Sequence, residues 1–241
     1  MNRSIQLYAG VIGSFALSIV ALVLLPKAQI GALQPQTTED EGKITDVFPI
    51  ENRGIAEKGR EVYAANGCYY CHSQQVRDPQ NGLDLERGWG ERRTVARDYL
   101  FEQPPFLGKT RLGPDLANVG SAKWRNEPED ESRKPKKRDA AWHLLHLYAP
   151  RTVITESNMP SYRYLFEERK ISGQRSADAL PVAARGGIDY EVVPKTEAKA
   201  LVGYLMTLDR SHPLKEVKSL AVAAAAPAPA APAPAPAPAA K

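Results

Sequence analysis

The chain has 241 residues, 25% of them charged, and a formal net charge of +4. That length suits one folded domain of about 150–180 residues with appendages. So mild a charge, with no RNA- or DNA-binding motif, gives no case for nucleic acid as a partner.

The first element is apolar. Ile5 to Leu25 carries no formal charge and ends at Pro26-Lys27. About 20 such residues span the hydrocarbon core of a bilayer, so the segment is expected to cross a membrane once, in contact with lipid. It exceeds the apolar core of a usual signal peptide, and no Ala-x-Ala site follows it closely. A buried globular helix is the bland alternative. Gly10, Ser14, Ser18 and Ala21 recur at helical spacing, a face that admits another membrane helix, although small residues occur in any such span. Residues 1–27 are therefore assigned to the anchor. Residues 28–47, acidic at Glu39-Asp40-Glu41 and carrying Pro35, read as a tether.

A folded domain is expected over residues 48–210. Ile55, Lys58, Gly59, Val62 and Tyr63 follow the 3.6-residue period, which predicts a helix from Gly54 to Gly67. Gly59 offers a close crossing point for another helix. Next stands Cys68-Tyr69-Tyr70-Cys71-His72, which holds both cysteines of the chain. Cys-x-x-Cys-His is the attachment signature of a c-type haem. Two thiols at this spacing can each reach one vinyl group and form thioethers, and the histidine supplies an axial nitrogen. A Cys-x-x-Cys pair alone also suits a dithiol redox site or half of a zinc site. No second pair of ligands and no βαβ pattern accompanies it. With both cysteines on one covalent haem, no disulfide framework remains.

Ser73 to Leu112 shows little periodicity and holds Trp89, Arg92, Arg93, Tyr99, Phe101 and Pro104-Pro105. A loop of that length inside a compact domain is usually functional or a partner surface, and a haem is an apolar body for it to wrap. Arg111-Leu112-Gly113-Pro114-Asp115-Leu116 follows. Pro114 fixes a turn, and a backbone carbonyl there can accept from His72 Nδ1–H, which orients the ring and raises its basicity. Arg111, two residues before the turn, is a candidate partner for an anionic haem propionate, with Trp89 and Arg92 as rivals. Lys123 to Arg138 reads as a basic, solvated insertion. Ala140 to Tyr148 predicts a short helix that sets His143 and His146 on one face, without an evident third ligand for a metal of their own.

Glu156-Ser157-Asn158-Met159-Pro160-Ser161-Tyr162 is non-helical in pattern. Met1 begins the anchor, and Met206 falls on an apolar helix face, where methionine is ordinarily filler. Met159 lies outside any periodic run, and Pro160 biases it towards extended backbone. It is the candidate sixth ligand of the iron. Bis-histidine ligation through His143 or His146 is the competitor. Glu167 to Asp189 reads as a polar linker. Thr196 to Leu208 predicts the last helix, with Ala198, Leu201, Val202, Leu205 and Met206 on one face, crossing the Gly59–Tyr63 helix to close the domain. Residues 211–241, Ala- and Pro-rich from Ala221, are expected to form an extended tail.

Taken together, Gly59-Arg60-Glu61-Val62-Tyr63, Gly67 to Arg77, Gly108 to Gly120 and Pro150 to Tyr162 resemble the mono-haem cytochrome c subunit of cbb-type haem–copper oxidases. The resemblance covers most of residues 44–166, the terminal helix and the anchor. It implies an all-α chain: one transmembrane helix and a class I cytochrome c-like domain with long loops. It implies that Cys68 and Cys71 bind one haem c and that His72 and Met159 are its axial ligands. It also implies a place on a membrane subunit holding haem b and copper, which reduces oxygen. Electrons would come from a soluble periplasmic cytochrome c, often through a di-haem cytochrome c subunit. The chain would carry no catalytic residue of its own, because a six-coordinate iron has no open position. His/Met ligation raises the potential, which suits delivery to a terminal oxidase. Haem c is attached outside the cytoplasmic membrane in bacteria, so the domain is expected in the periplasm, on a single-pass anchor in the inner membrane. The insertion at 123–138, the segment 167–189 and the tail depart from the family's pattern. Other readings are a free-standing anchored shuttle, the small haem subunit of a nitric oxide reductase, and a non-redox anchored interaction protein with zinc or a disulfide. The nitric oxide reductase reading fits the long 73–112 segment and the Glu156–Tyr162 run less well.

Overall fold

The computed structural model describes residues 2–121 and 138–217. Helix α1 (Arg3–Ile30) buries none of its residues and is apolar all round. None of the described residues buries any part of it, and a bilayer is the medium that accommodates such a surface. It runs three residues beyond the expected anchor. Pro26 lacks the N–H of an ordinary helical residue. The helix passes it through a π-turn at Val20–Leu24, where Leu25 N donates to Val20 O.

The expectation of an all-α chain needs correcting, because two antiparallel hairpins are present. The first pairs β1 (Gln36–Asp40) with β2 (Lys43–Phe48) inside the segment read as a tether. Glu41 and Gly42 form its two-residue turn at φ 49° and 76°. Positive φ at both turn residues matches the twist of the strands they join. The acidic run hid this hairpin, since no alternation of apolar residues marks its strands. The second pairs β3 (Phe166–Lys170) with β4 (Tyr190–Pro194), Phe166 opposite Pro194 and Lys170 opposite Tyr190. The polar linker is thus a folded excursion: Val192 and Val193 enter the core, and Leu180 N ties its loop to Val192 O at 2.9 Å.

The core forms where α2 (Ile55–Ala65) crosses the last helix, α5 (Thr196–Leu205). At Gly59 a Cβ would stand 1.9 Å from Ala200 O and 2.7 Å from Tyr204 Cβ, so only glycine lets the two backbones meet. Val62, Tyr63, Leu201, Val202 and Tyr204 are buried at this crossing. Helix α3 (Ala140–Tyr148) starts on Asp139, whose carboxylate accepts from Trp142 N at 2.9 Å, and leads into the single turn α4 (Pro150–Val153). Helix α5 stops at Leu205, short of the expected Leu208. There Gly120 N takes the Leu208 carbonyl at 2.8 Å and Arg210 N finds Asn118 Oδ1 at 2.7 Å.

The chain stays docked beyond residue 210, where the extended tail was expected to begin. His212 stacks on Phe48 at 4.6 Å and pairs with Asp46 at 2.5 Å, and Gln36 bonds to Pro213 O and Lys215 N. The first hairpin is thereby fastened to the domain. The basic insertion, but for Arg138, and the Ala/Pro run from Ala221 lie outside the described residues.

Candidate haem-binding site

Helix α2 delivers its C-terminus to the cysteine motif. Asn66 closes the helix, and Gly67 takes the left-handed conformation at φ 65° that turns the chain out of it. Cys68–Tyr70 is a 3₁₀ turn, and Cys71 N and His72 N both donate to Cys68 O, at 3.1 and 3.0 Å. Cys68, Cys71 and His72 therefore share one short turn. The two sulfurs are not joined, and both are partly buried. Burial pushes the Cys68 thiol up to about 11.

His72 is held from one side. Its Nδ1 lies 2.8 Å from Pro114 O. A carbonyl only accepts, so Nδ1 carries the proton and Nε2 keeps its lone pair. Nε2 has no partner among the described residues. Burial lowers the imidazole pKa, while the Pro114 contact and the Asp115 carboxylate oppose that shift. Gly113 lies flat against the ring: a Cβ there would stand 2.2 Å from Cε1 and 2.7 Å from Nδ1. Backbone bonds lace this turn to the motif, from Gly113 N to Cys71 O at 3.1 Å and from Leu116 N to Ser73 O at 2.8 Å. Thr110 Oγ1 donates to Tyr70 O.

Next comes the methionine loop. Met159 is half-buried against the core; its N–H donates to Ser157 Oγ at 3.2 Å. Tyr162 N ties the loop to α3 through Leu147 O at 2.8 Å. Burial, then the neighbouring Cys68 thiol, pushes the Tyr162 phenol up to about 12, with Cys71 adding to it. The loop thus lies within electrostatic range of the cysteine turn. His146 lies within electrostatic range of His72. Burial first, then the charge of His72, pulls its imidazole down to about 4, and its Nδ1 is buried without a hydrogen-bond partner among the described residues. His143 is buried edge-on to Trp142. Met206 sits at the end of α5, its carbonyl against Gly120. Among the described residues no cluster of three or more His, Cys, Asp or Glu could hold a separate metal.

Arg111 enters a polar network beneath the turn. Its Nε donates to Ser73 Oγ at 2.7 Å, Nη1 to Asp84 Oδ1 at 2.5 Å and Nη2 to Gln75 O at 2.6 Å. Trp89 lies 5.4 Å from its guanidinium. Arg92, a rival for the propionate, is wholly buried in a bidentate pair with Asp98 at 2.7 and 2.9 Å and also donates to His212 O. Sequence reasoning passed over Asp84 and Asp115, since an acid in a long loop reads as solvated. Asp115 was visible only as the residue after Pro114.

These groups fit a covalent haem. Two free thiols and an imidazole share one turn, the ring is fixed at Nδ1, Nε2 is unclaimed among the described residues, and the loop that carries Met159 has Tyr162 in electrostatic range of both cysteines. A tetrahedral zinc would need further ligands. No curated protein matches the chain. The family described as "Cytochrome C oxidase, mono-heme subunit/FixO" matches residues 12–207, from within α1 through the cysteine motif, the Gly113-Pro114 turn and Met159 to the end of α5. The chain belongs to that family and is a haem-bearing, membrane-anchored, electron-transfer subunit of a cytochrome c oxidase.

Proposed function

We propose that the protein relays electrons one at a time into the haem b and copper subunit of a cbb-type oxidase. Its donor is a periplasmic cytochrome c, soluble or in a di-haem subunit. Cys68 and Cys71 hold one haem c covalently, with His72 and Met159 on the iron. The observation that carries this reading is the His72 ring, fixed at Nδ1 by Pro114 O at 2.8 Å, backed by Gly113 and left free at Nε2. A ligating histidine is ordinarily oriented by such a second-shell acceptor. When bound, the haem supplies a single-electron Fe(III)/Fe(II) couple.

The chain's own residues do the rest. The Pro114 carbonyl keeps the His72 tautomer and makes the imidazole a better donor. The Met159 thioether, a soft and neutral donor, raises the potential. With both axial positions taken by side chains, no place is left for oxygen, so the chain is not an enzyme on its own. Arg111 keeps one Nη1–H beyond its bond to Asp84, and we assign it to a propionate. Helix α1 crosses the bacterial cytoplasmic membrane once, with the haem domain on the periplasmic side.

The test is spectroscopic. Haem should stay on the denatured wild-type chain, and the oxidised protein should show the near-infrared charge-transfer band of sulfur-to-iron ligation. Met159→Leu should lose that band and lower the potential, while His146→Ala and Met206→Leu should keep both. Loss of the native ligation in His146→Ala, with Met159→Leu unchanged, would transfer the sixth position to histidine. Wild-type chain with zinc and no haem would end the reading altogether.

A further inference from the structure

We propose that Asp115 is a buried negative charge that braces the turn over His72 and holds down the potential of the haem; this rests on the His72 ligation proposed above. Asp115 directly follows Pro114, whose carbonyl holds the ring, and bonds to Ser73, which directly follows His72. Its Oδ2 accepts from Ser73 Oγ at 2.5 Å and from Gln75 N at 2.8 Å, and its Oδ1 accepts from Ala117 N at 2.8 Å. Arg111 Nη2 stands 3.8 Å away. One side chain thus grips the chain just beyond both partners of the His72–Pro114 bond.

Two backbone N–H groups and the Arg111 guanidinium, which face this carboxyl, can only donate, and the Ser73 hydroxyl, already accepting from Arg111 Nε, gives its own proton to Oδ2. A protonated acid or an asparagine would have only Ser73 Oγ to donate to. Burial, the largest influence, raises the carboxyl's pKa above the ordinary aspartate value, while the hydroxyl, two backbone N–H groups and the guanidinium pull back towards the anion. The geometry therefore selects a carboxylate in a position only 2% exposed. Its charge is also incompletely offset. Arg111 lies nearer to Asp84, at 2.5 Å, and Arg77 gives its guanidinium to Asp84 at 3.3 Å. Asp84 is matched by two cations, whereas Asp115 shares one of them at longer range. A charge in a low-dielectric interior acts on its neighbours far more strongly than one in water. Beside the ligating imidazole it favours the oxidised over the reduced iron, and so lowers the potential. Asp115 is a positioning and tuning residue; it touches no redox partner.

The experiment is a potentiometric titration of the full-length, detergent-solubilised protein, read in its visible bands. Haem staining and the near-infrared band of the wild type come first, because their absence defeats the ligation reading and not this one. Asp115→Asn keeps the size and one of the two acceptor oxygens but removes the charge. Its midpoint potential should rise, with the visible and near-infrared bands intact. Asp115→Glu should return the potential towards the wild-type value. A purely structural role would instead loosen the ligand set and alter those bands. If Asp115→Asn does not fold, Asp115→Ser, smaller, uncharged and still an acceptor, is read in its place, with the same rise expected. An unchanged or lowered potential in a well-folded Asp115→Asn or Asp115→Ser protein overturns the proposal.

Discussion

A single methyl group at residue 113 tests the haem turn most directly. The alanine Cβ would stand 2.2 Å from His72 Cε1, 2.7 Å from Nδ1 and 2.9 Å from Nε2. Carbon atoms rest at about 3.5–4.0 Å, so the ring or the turn must give way by about 1.3 Å or more. The backbone of Gly113 is not among the positive-φ glycines, so alanine meets no conformational penalty there and the effect is steric. A displacement of that size takes the 2.8 Å contact to Pro114 beyond hydrogen-bond range. Overpacking of this kind costs about 1–3 kcal/mol. Loss of a partner behind a ligating histidine weakens metal binding by about 10–100-fold in comparable sites. We expect Gly113→Ala to keep its covalent haem on a denaturing gel, because the thioethers do not involve the ring. Its visible spectrum should shift, and its ferrous form should bind carbon monoxide that the wild type excludes. Thermal unfolding should start lower, by about 2–4 °C per kcal/mol lost in a domain of this size. A Gly113→Ala protein with the wild-type spectrum, no carbon monoxide adduct and an unchanged Tm would show that the ring does not rest on this residue.

Gly59→Ala places a Cβ 1.9 Å from Ala200 O and should destabilise the domain by about 1–3 kcal/mol in a denaturant titration, with the haem spectrum unchanged. Asp98→Ala strands the wholly buried Arg92 and should cost about 3–5 kcal/mol by the same measurement; a loss below 1 kcal/mol would mean that the pair is not desolvated. The pKa of His146 is depressed to about 4 in the fold, against an ordinary value near 6.5. The unfolded chain therefore binds the proton first. Stability is complete above about pH 6.5 and falls towards pH 4, by at most about 1.4 kcal/mol per unit. His146→Phe should flatten that window, and an identical pH profile in the variant would refute the assignment.

Much of the helical frame could be read from the sequence, because period and punctuation agree there. Helix α2 shows both its apolar spacing and its Asn66-Gly67 stop, and α5 shows an uninterrupted apolar face. Their crossing was readable from Gly59, since a glycine on an apolar face allows a backbone to approach. The hairpins were not readable. Strand β1 is Gln-Thr-Thr-Glu-Asp, exposed along nearly its whole length, and is held by a turn and by side chains such as Gln36 that bond to a segment about 180 residues away. Strand β4 was hidden by its neighbours: Val192-Val193 is too short an apolar run to stand out beside a polar linker. In the candidate site, local signals carried the cysteine turn and the Gly113-Pro114 turn. What the sequence withheld was the pairing of distant charges. Arg111 looked like a propionate partner from its place in the chain, yet most of its donors go to Ser73, Asp84 and Gln75.

Those distant charges explain how about forty residues with almost no regular structure can stay ordered beside the haem turn. A loop buried in a domain must satisfy its backbone N–H groups without a helix or sheet. Here carboxylates do so. Asp84 accepts from Arg77 N at 2.7 Å, Asp98 from Val95 N at 2.7 Å, and Asp115 from Gln75 N and Ala117 N, both at 2.8 Å. Each then takes an arginine: Arg77 and Arg111 on Asp84, Arg92 on Asp98, Arg111 near Asp115. Desolvating so many charges offsets much of their attraction, so the network adds little net stability. Its effect is on specificity. An apolar loop of the same length could repack in many ways, whereas each carboxylate here has one set of donors that satisfies it. The turn carrying Gly113, Pro114 and Asp115 is therefore held in one arrangement against His72. The relay proposed above would gain from that fixity, since a ligating imidazole that does not shift with the charge on the iron adds nothing to the barrier of electron exchange.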